Sequence, residues 1–283
     1  MARRQSPNAQ ADETAPKKSY RQILREEVAE ALGELERPPL GLFLSAVSAG
    51  LDIGFSLFLM GAMRTLIKGQ LPPPISALLV ANMYAVGFIF VVLGRSELFT
   101  EHTTLAVLPV LRGRATLASL GRLWVTIYVG NLMGAAGFAL LAAWIGPGLG
   151  VISPPAFAEI AEPLIRPGWL MVAASGLLAG WLMGLLSWLV TAARDTFSQI
   201  FIVWMITISI GFTHLHHSIV GSVEVLAAVF AGQGVTLADY GRFLLWTTIG
   251  NAVGGTVFVA LIKHTHASRP GNPEVPAAGK SRL

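Results

Sequence analysis

Cysteine is absent from all 283 residues, so neither a disulfide framework nor a thiolate metal site is available, and the redox compartment stays open. Charge is scarce. At 13% charged against 53% hydrophobic residues, with 30 glycines, the chain has too little polar surface to coat a soluble globule of this size. Gly279-Lys280-Ser281 lacks the glycine five positions before it that a P-loop requires, which argues against a P-loop nucleotide site and ATP-driven coupling. The net charge of +4 sits at the two ends and in a few connections, without the clustered basic stripe that nucleic-acid binding requires. A signal peptide is not expected either, because residues 1–39 are polar and lack a short apolar core. What remains is the composition of an integral membrane protein.

The apolar residues are gathered into long runs. Residues 1–18, rich in Pro, Gln, Asn, Lys and Arg, are expected to be disordered. Residues 19–36 read as an amphipathic helix with Ile23, Val28, Leu32 and Leu35 at helical spacing, suited to the membrane surface or to a solvated lead-in. After Pro38-Pro39, residues 41–63 are long enough to cross about 30 Å of hydrocarbon at about 1.5 Å per residue. Residues 75–111 are too long for one crossing and contain Gly94-Arg95-Ser96-Glu97-Leu98-Phe99-Thr100-Glu101-His102. That predicts a broken helix, since irregular backbone at this depth survives only where protein or a water-filled cavity satisfies it. The third span, 120–145, carries Gly130-Asn131 among small residues that permit close helix packing. A Pro/Gly-rich connection over 146–168 leads to the fourth span, 169–193, closed by Arg194-Asp195. The fifth region, 197–230, is broken at 211–218, and the sixth, 243–262, carries Gly250-Asn251.

Each half of this series has a plain span, a broken one and one with a Gly-Asn pair, which suggests an internal duplication. Three spans per half force the two halves to enter the membrane from opposite sides, an inverted repeat with both breaks near the midplane. The expected fold is all-α with six transmembrane helices. Residues 1–40 form an N-terminal tail with the amphipathic helix, 41–263 the channel domain with halves at about 41–145 and 169–263, and 264–283 a C-terminal tail. With both termini cytoplasmic, the inner side holds seven Lys/Arg before the first span, then Arg112, Arg114, Arg122, Arg194 and four after the last. The outer side has Arg64, Lys68, Arg166 and Arg242, so the positive-inside rule favours this orientation.

The segment from Gly211 to Glu224 concentrates the chemistry, with His214, His216, His217 and Glu224 inside an apolar run. An ionisable side chain at bilayer depth costs at least about 2.5–3.5 kcal/mol, so such residues face a pore, a cavity or each other. One reading makes the three imidazoles and Glu224 a metal site, as in a metal-ion transporter, but spacings of two and three do not place all three on one helix face. Another is an aquaporin-type channel for neutral solutes, although paired Asn-Pro-Ala signatures are missing. A third is a pore for weak acids. A bare carboxylate crossing a dry constriction faces a penalty nominally in the tens of kcal/mol, while protonating an acid of pKa near about 4 at pH 7 costs about 4 kcal/mol. An imidazole can lend and recover that proton, and cations at the mouths, Arg95 and Arg166, would draw the anion in. Glu97 and Glu224 are read as equivalent residues accepting backbone N–H groups freed by the breaks, with Asn131 and Asn251 also structural there.

Glu97-Leu98-Phe99-Thr100, Gly130-Asn131, Arg194, His217-Ser218-Ile219 and Gly250-Asn251 together resemble, in order and spacing over about 41–263, the formate/nitrite transporter family. Gly221-Ser222-Val223-Glu224 and Thr100-Glu101-His102 resemble its YfdC-type branch. The resemblance implies an aquaporin-like protomer and a homopentamer with one pore per protomer, in a bacterial inner membrane. It also implies passage of small monovalent weak-acid anions, no enzymatic activity and no cofactor. Leu98, Phe99 and Thr100 would line the loop narrowing the cytoplasmic side of the pore, and His217 would be its central histidine. Gly221 stands where the family typically has Asn, His216 where it has an acid, and Gly180 where an Asn is expected in the fourth span. Arg166 is the nearest cation where a Lys is expected to precede that span.

Overall fold

The computed structural model describes residues 17–261, which are helical with no strand among them. The expectations for residues 1–16 and for the tail 264–283 lie outside the described residues.

An N-terminal helix, α1 (Tyr20–Glu36), starts at Ser19, whose hydroxyl accepts from the Gln22 N–H. The first span is two stacked pieces, α2 (Pro39–Asp52) and α3 (Gly54–Ile67). Next come α4 (Pro73–Gly94), the short α5 (Phe99–Leu105) and α6 (Val107–Leu111), and the long α7 (Leu117–Gly148). The second half holds α8 (Pro154–Ile165), α9 (Trp169–Ala192), α10 (Thr196–Phe212), α11 (Ser218–Phe230) and α12 (Leu237–Val253), the last continuing as a π-helical run, Gly254–Leu261. Proline opens α2, α4 and α8 in the first turn, where its missing N–H costs nothing. Thr116 and Thr236 start α7 and α12 with reciprocal capping boxes to Ser119 and Asp239.

Four stretches, Pro39–Ile67, Pro73–Gly94, Leu117–Gly148 and Trp169–Ala192, are long and apolar enough to cross a membrane, and α10 and α11 are shorter apolar helices. Leu40, Leu44, Leu117, Trp144 and Phe201 are more than half exposed, the outward apolar surface of a protein solvated by lipid or by neighbouring subunits. Both expected breaks are present, over residues 95–98 and 213–217.

Two segments differ from the sequence expectation. Rather than lying on lipid or in solvent, α1 buries Ile23, Leu24, Glu27, Val28, Ala31 and Leu35 against α5, α6, α7 and α9. Polar ties fix it at both ends: Lys18 Nζ donates to the Thr191 carbonyl at 2.6 Å, and Arg122 Nη2 to the Leu35 carbonyl at 2.8 Å. The Pro/Gly-rich connection contains α8. Ser153 and Pro154-Pro155 start it, and Ala156, Phe157, Ile160, Ala161 and Leu164 form the buried stripe that holds it down.

The most extensive helix packings are α2 on α7 and α9 on α12. Each crossing is tight because glycines on both helices sit against backbone carbonyls of the other. A Cβ at Gly50 would run into the Asn131 carbonyl, and one at Gly180 into the Asn251 carbonyl. Gly180 therefore closes a helix crossing in this structure.

Candidate functional site

Both breaks are built from the same parts. Gly94 and Phe212 end their helices, and Arg95 (φ 53°) and His214 (φ 51°) turn the chain through the left-handed region that non-glycine residues rarely occupy. Three residues after each, extended backbone at Leu98 and His217 leads into a new helix. A buried asparagine then satisfies what each break leaves open. Asn131 Oδ1 accepts from the Phe99 N–H at 2.8 Å, while its Nδ2 donates to the carbonyls of Glu97 and Ala46, both at 2.8 Å. Asn251 Oδ1 accepts from the Ser218 N–H at 2.8 Å, and its Nδ2 donates to the carbonyls of His216 at 2.9 Å and Gly176 at 2.8 Å. Serines complete the pairing: the Glu97 N–H donates to Ser45 Oγ at 3.3 Å and the His216 N–H to Ser175 Oγ at 3.1 Å.

The two broken regions meet at His217. Its Nε2 lies 2.8 Å from Thr100 Oγ1, joining the first turn of α5 to the N-cap of α11. The other ring nitrogen fixes the tautomer. The Val220 backbone N–H can only donate, and it lies 3.3 Å from Nδ1, so Nδ1 is the acceptor and Nε2 carries the proton. His217 is 1% exposed, and the Phe88 ring meets it edge-on at 5.2 Å with an interplanar angle of 83°. What the site presents is a neutral imidazole with one N–H, beside the positive end of α11. Leu98 and Phe99, the two residues before Thr100, are buried, Phe99 packing edge-on against Tyr128 at 4.8 Å and Trp124 at 6.0 Å of α7.

The other two histidines are not gathered with it. His216 is a staple: Ser175 Oγ donates to Nδ1 at 2.8 Å, and Nε2–H donates to the Leu164 carbonyl of α8 at 3.1 Å. His214 is exposed at the turn. Both nitrogens of His216 and of His217 are engaged, and no group of three or more His, Cys, Asp or Glu suited to a metal ion occurs among the described residues.

Glu97 keeps its carboxylate away from the freed backbone N–H groups. It takes Arg37 at 3.0 Å, which also holds Glu34 at 3.0 Å, and His102 Nε2. Glu224 sits inside α11, seven residues past His217, and is 4% exposed. Among the described residues it does not occupy a place equivalent to Glu97, whose counterpart is His216 by the serine and asparagine bonds. Arg95 is exposed at the turn of the first break, and Arg166 is an exposed residue that pairs with Glu162 at 3.5 Å. Gly221 has no open face, because a Cβ there would strike the Phe243 ring of α12, which fills that volume.

Away from the spans, charge is balanced locally. Lys68 and Arg64 converge on Glu159 at 2.7 and 2.6 Å and hold its carboxyl below the usual range. Burial pushes Glu27 of α1 up to about 7, partly offset by the hydroxyls of Thr191 and Ser187; Ser187 Oγ donates to it at 3.0 Å.

Sequence reading missed Phe88, Tyr84, Ser175, the Leu164 carbonyl and the Glu27–Ser187 pair. Phe88 and Tyr84 lie in an unbroken apolar run, and the others depend on partners distant in the chain.

Comparison with known proteins gives one family. The model for "Formate/nitrite transporter" matches residues 21–265. Inner membrane protein YfdC of Escherichia coli is 34% identical over 238 residues, 82% of this chain and 73% of the relative. Nitrite transporter NirC of Salmonella typhimurium is 28% identical over 229 residues, 79% of this chain and 82% of the relative. Among solved structures, an FNT family ion channel superposes with a TM-score of 0.78 at 24% identity, covering 87% of this chain and 99% of its own. A pentameric formate channel with formate bound gives 0.68 at 25% identity, with 81% and 97% covered.

Proposed function

The chain belongs to the formate/nitrite transporter family of transporters and channels, and from that premise we propose that it passes small monovalent anions of weak acids through a pore in each subunit of a homopentamer. The membrane is the bacterial cytoplasmic one, with both termini inside. The observation that carries the reading is the junction of Thr100 with His217, where two broken helices meet on one buried N–H donor.

The chemistry follows from the tautomer. With Nδ1 tied to the α11 backbone, protonating His217 there would cost the cap bond as well as a buried charge, so its role is to donate. The Nε2–H turns from Thr100 to the passing acid or anion, and the Thr100 hydroxyl, released, follows as a second partner. Leu98, Phe99 and Phe88 wall the junction with apolar surface that strips water, which strengthens each remaining hydrogen bond. Arg95 and Arg166, exposed near the two turns, raise the local concentration of anions at the mouths.

Uptake of formate, nitrite and acetate into proteoliposomes at two external pH values tests this with wild type, His217→Ala and His217→Asn. Flux that is lost in His217→Ala and partly kept in His217→Asn, which retains an N–H donor, is the expected result. Unchanged flux in His217→Ala ends the role of the histidine, and passage of neutral solutes without anions ends the choice of substrate.

A further inference from the structure

We propose that Tyr84 and Glu224 form a second polar station in the pore, outward of His217, that takes the weak acid in its neutral, hydrogen-bonding form. This deepens the reading of the pore given above and rests on it.

Two buried polar groups stand there with no hydrogen bond to a described residue. The Tyr84 hydroxyl is buried and makes no hydrogen bond, with the residue 3% exposed. Glu224 is 4% exposed, and no hydrogen-bond donor or cation reaches its carboxyl among the described residues. The two do not bond to each other. The ring of Tyr84 is fixed on both sides. It stacks on Phe88 at 5.3 Å, and Gly211 of α10 leaves the room it occupies.

Their position along the pore follows from the helices. Phe88 touches His217, and Tyr84 stands one turn earlier on α4, about 6 Å farther out at about 1.5 Å per residue. Glu224 stands two turns beyond the N-cap of α11, about 10 Å along it. A solute leaving His217 outward thus meets Tyr84 and Glu224 next.

The chemistry of the pair selects the ligand. An ionised carboxylate without a partner at this depth costs several kcal/mol and would repel an anion, so Glu224 is carried as the neutral acid. A neutral carboxyl and a phenol each offer one O–H donor and acceptor oxygens. A protonated weak acid has the same complement and satisfies both. A bare anion has acceptors only and leaves the acceptor side of Glu224 unmatched, the costly half of a buried polar contact.

The test is formate flux in proteoliposomes for wild type, Glu224→Gln, Glu224→Leu and Tyr84→Phe, with infrared difference spectra of the same proteins with and without formate. Glu224→Gln keeps a donor and an acceptor and is expected to stay within about twofold of wild type, whereas Glu224→Leu and Tyr84→Phe fall about tenfold. A carbonyl stretch of a protonated carboxyl, perturbed by formate and lost in Glu224→Gln, is expected alongside. Wild-type flux in Glu224→Leu overturns the station while leaving the transport reading intact. Absence of any weak-acid flux in wild type overturns the transport reading, and the infrared band then decides the station: formate must still perturb it. If Glu224→Leu does not assemble, Tyr84→Phe and the band decide, and an unperturbed band overturns the proposal.

Discussion

Docking of α1 on the helices it packs against should weaken as pH rises toward neutrality, and the cause is a single carboxyl. Glu27 is fully buried, with Ser187 Oγ at 3.0 and 3.3 Å from its two oxygens. Burial moves its pKa from 4.5 up to about 7. A detached α1 would return Glu27 to its ordinary value, so the docked state holds the proton more tightly. Docking is then strongest below about pH 4.5, falls as pH rises, and levels off above about 7. At 1.36 kcal/mol per pH unit the loss across that window is about 3 kcal/mol, a few hundredfold in the undocking equilibrium. Hydrogen exchange of the amides of Tyr20–Glu36, corrected for intrinsic rates and followed from pH 5 to pH 8, measures it directly. Glu27→Gln is neutral at every pH and still accepts from Ser187, so its corrected exchange should be flat and as slow at pH 8 as wild type is at acid pH. A flat wild-type profile, or a Glu27→Gln slope equal to that of wild type, would refute the reasoning.

Two further outcomes follow from the supports of the breaks. Asn251→Ala removes one acceptor and two donors at buried backbone groups, so roughly 3–9 kcal/mol of stability should be lost at about 1–3 kcal/mol per orphaned group. Asn131→Ala should cost the same, since it makes the same three bonds, and thermal unfolding of the purified protein reports both; a cost below about 1 kcal/mol in either would contradict the accounting. Gly221→Asn should destabilise by about 1–3 kcal/mol by driving a side chain into the Phe243 ring, with much of that cost gone in a Phe243→Ala background. Additive effects of the two substitutions would show that Phe243 does not fill the space at residue 221.

The spans and their breaks were legible because hydropathy and an excess of polar residues inside apolar runs are both local signals. Left-handed backbone at Arg95 and His214 was not, since neither residue type announces it. Helix α8 was hidden by composition: prolines and glycines around it suggested a loop, although Ser153-Pro154-Pro155 and the spacing of Phe157, Ile160 and Leu164 carried a helix start and a stripe. Glu27 looked like one more charge on a solvated face, because Ser187, the hydroxyl that pairs with it, lies 160 positions away. For Glu224, periodicity supplied a position but not its surroundings, and only the unbonded carboxyl in the folded chain separates a backbone acceptor from a free polar group. The duplication was more legible than the Gly-Asn pairs alone suggest, for Thr116-Leu117-Ala118 with Gly121-Arg122 returns as Thr236-Leu237-Ala238 with Gly241-Arg242.

That second echo extends the repeat and shows where the two breaks part company. Arg122 donates to the Leu35 carbonyl at the end of α1, and Arg242 donates to the Ile165 carbonyl at the end of α8. Helix α1 is therefore the counterpart of α8, each clamped by the arginine of its own half, and a repeat unit begins before the first membrane span rather than at it. Within this shared frame the serines 45 and 175, the glycines 50 and 180 and the asparagines 131 and 251 do the same jobs. The differences lie at the breaks themselves. Glu97 stands where the other half has His216, and Leu98 stands where it has His217. One break thus offers an apolar wall backed by an ion pair to Arg37, and the other offers an N–H donor backed by a neutral staple. A frame repeated with identical breaks would present the same group to a solute from either side. Divergence confined to the residues between helix end and helix start gives the junction of Thr100 and His217 a direction, at no cost to the bonds that hold it.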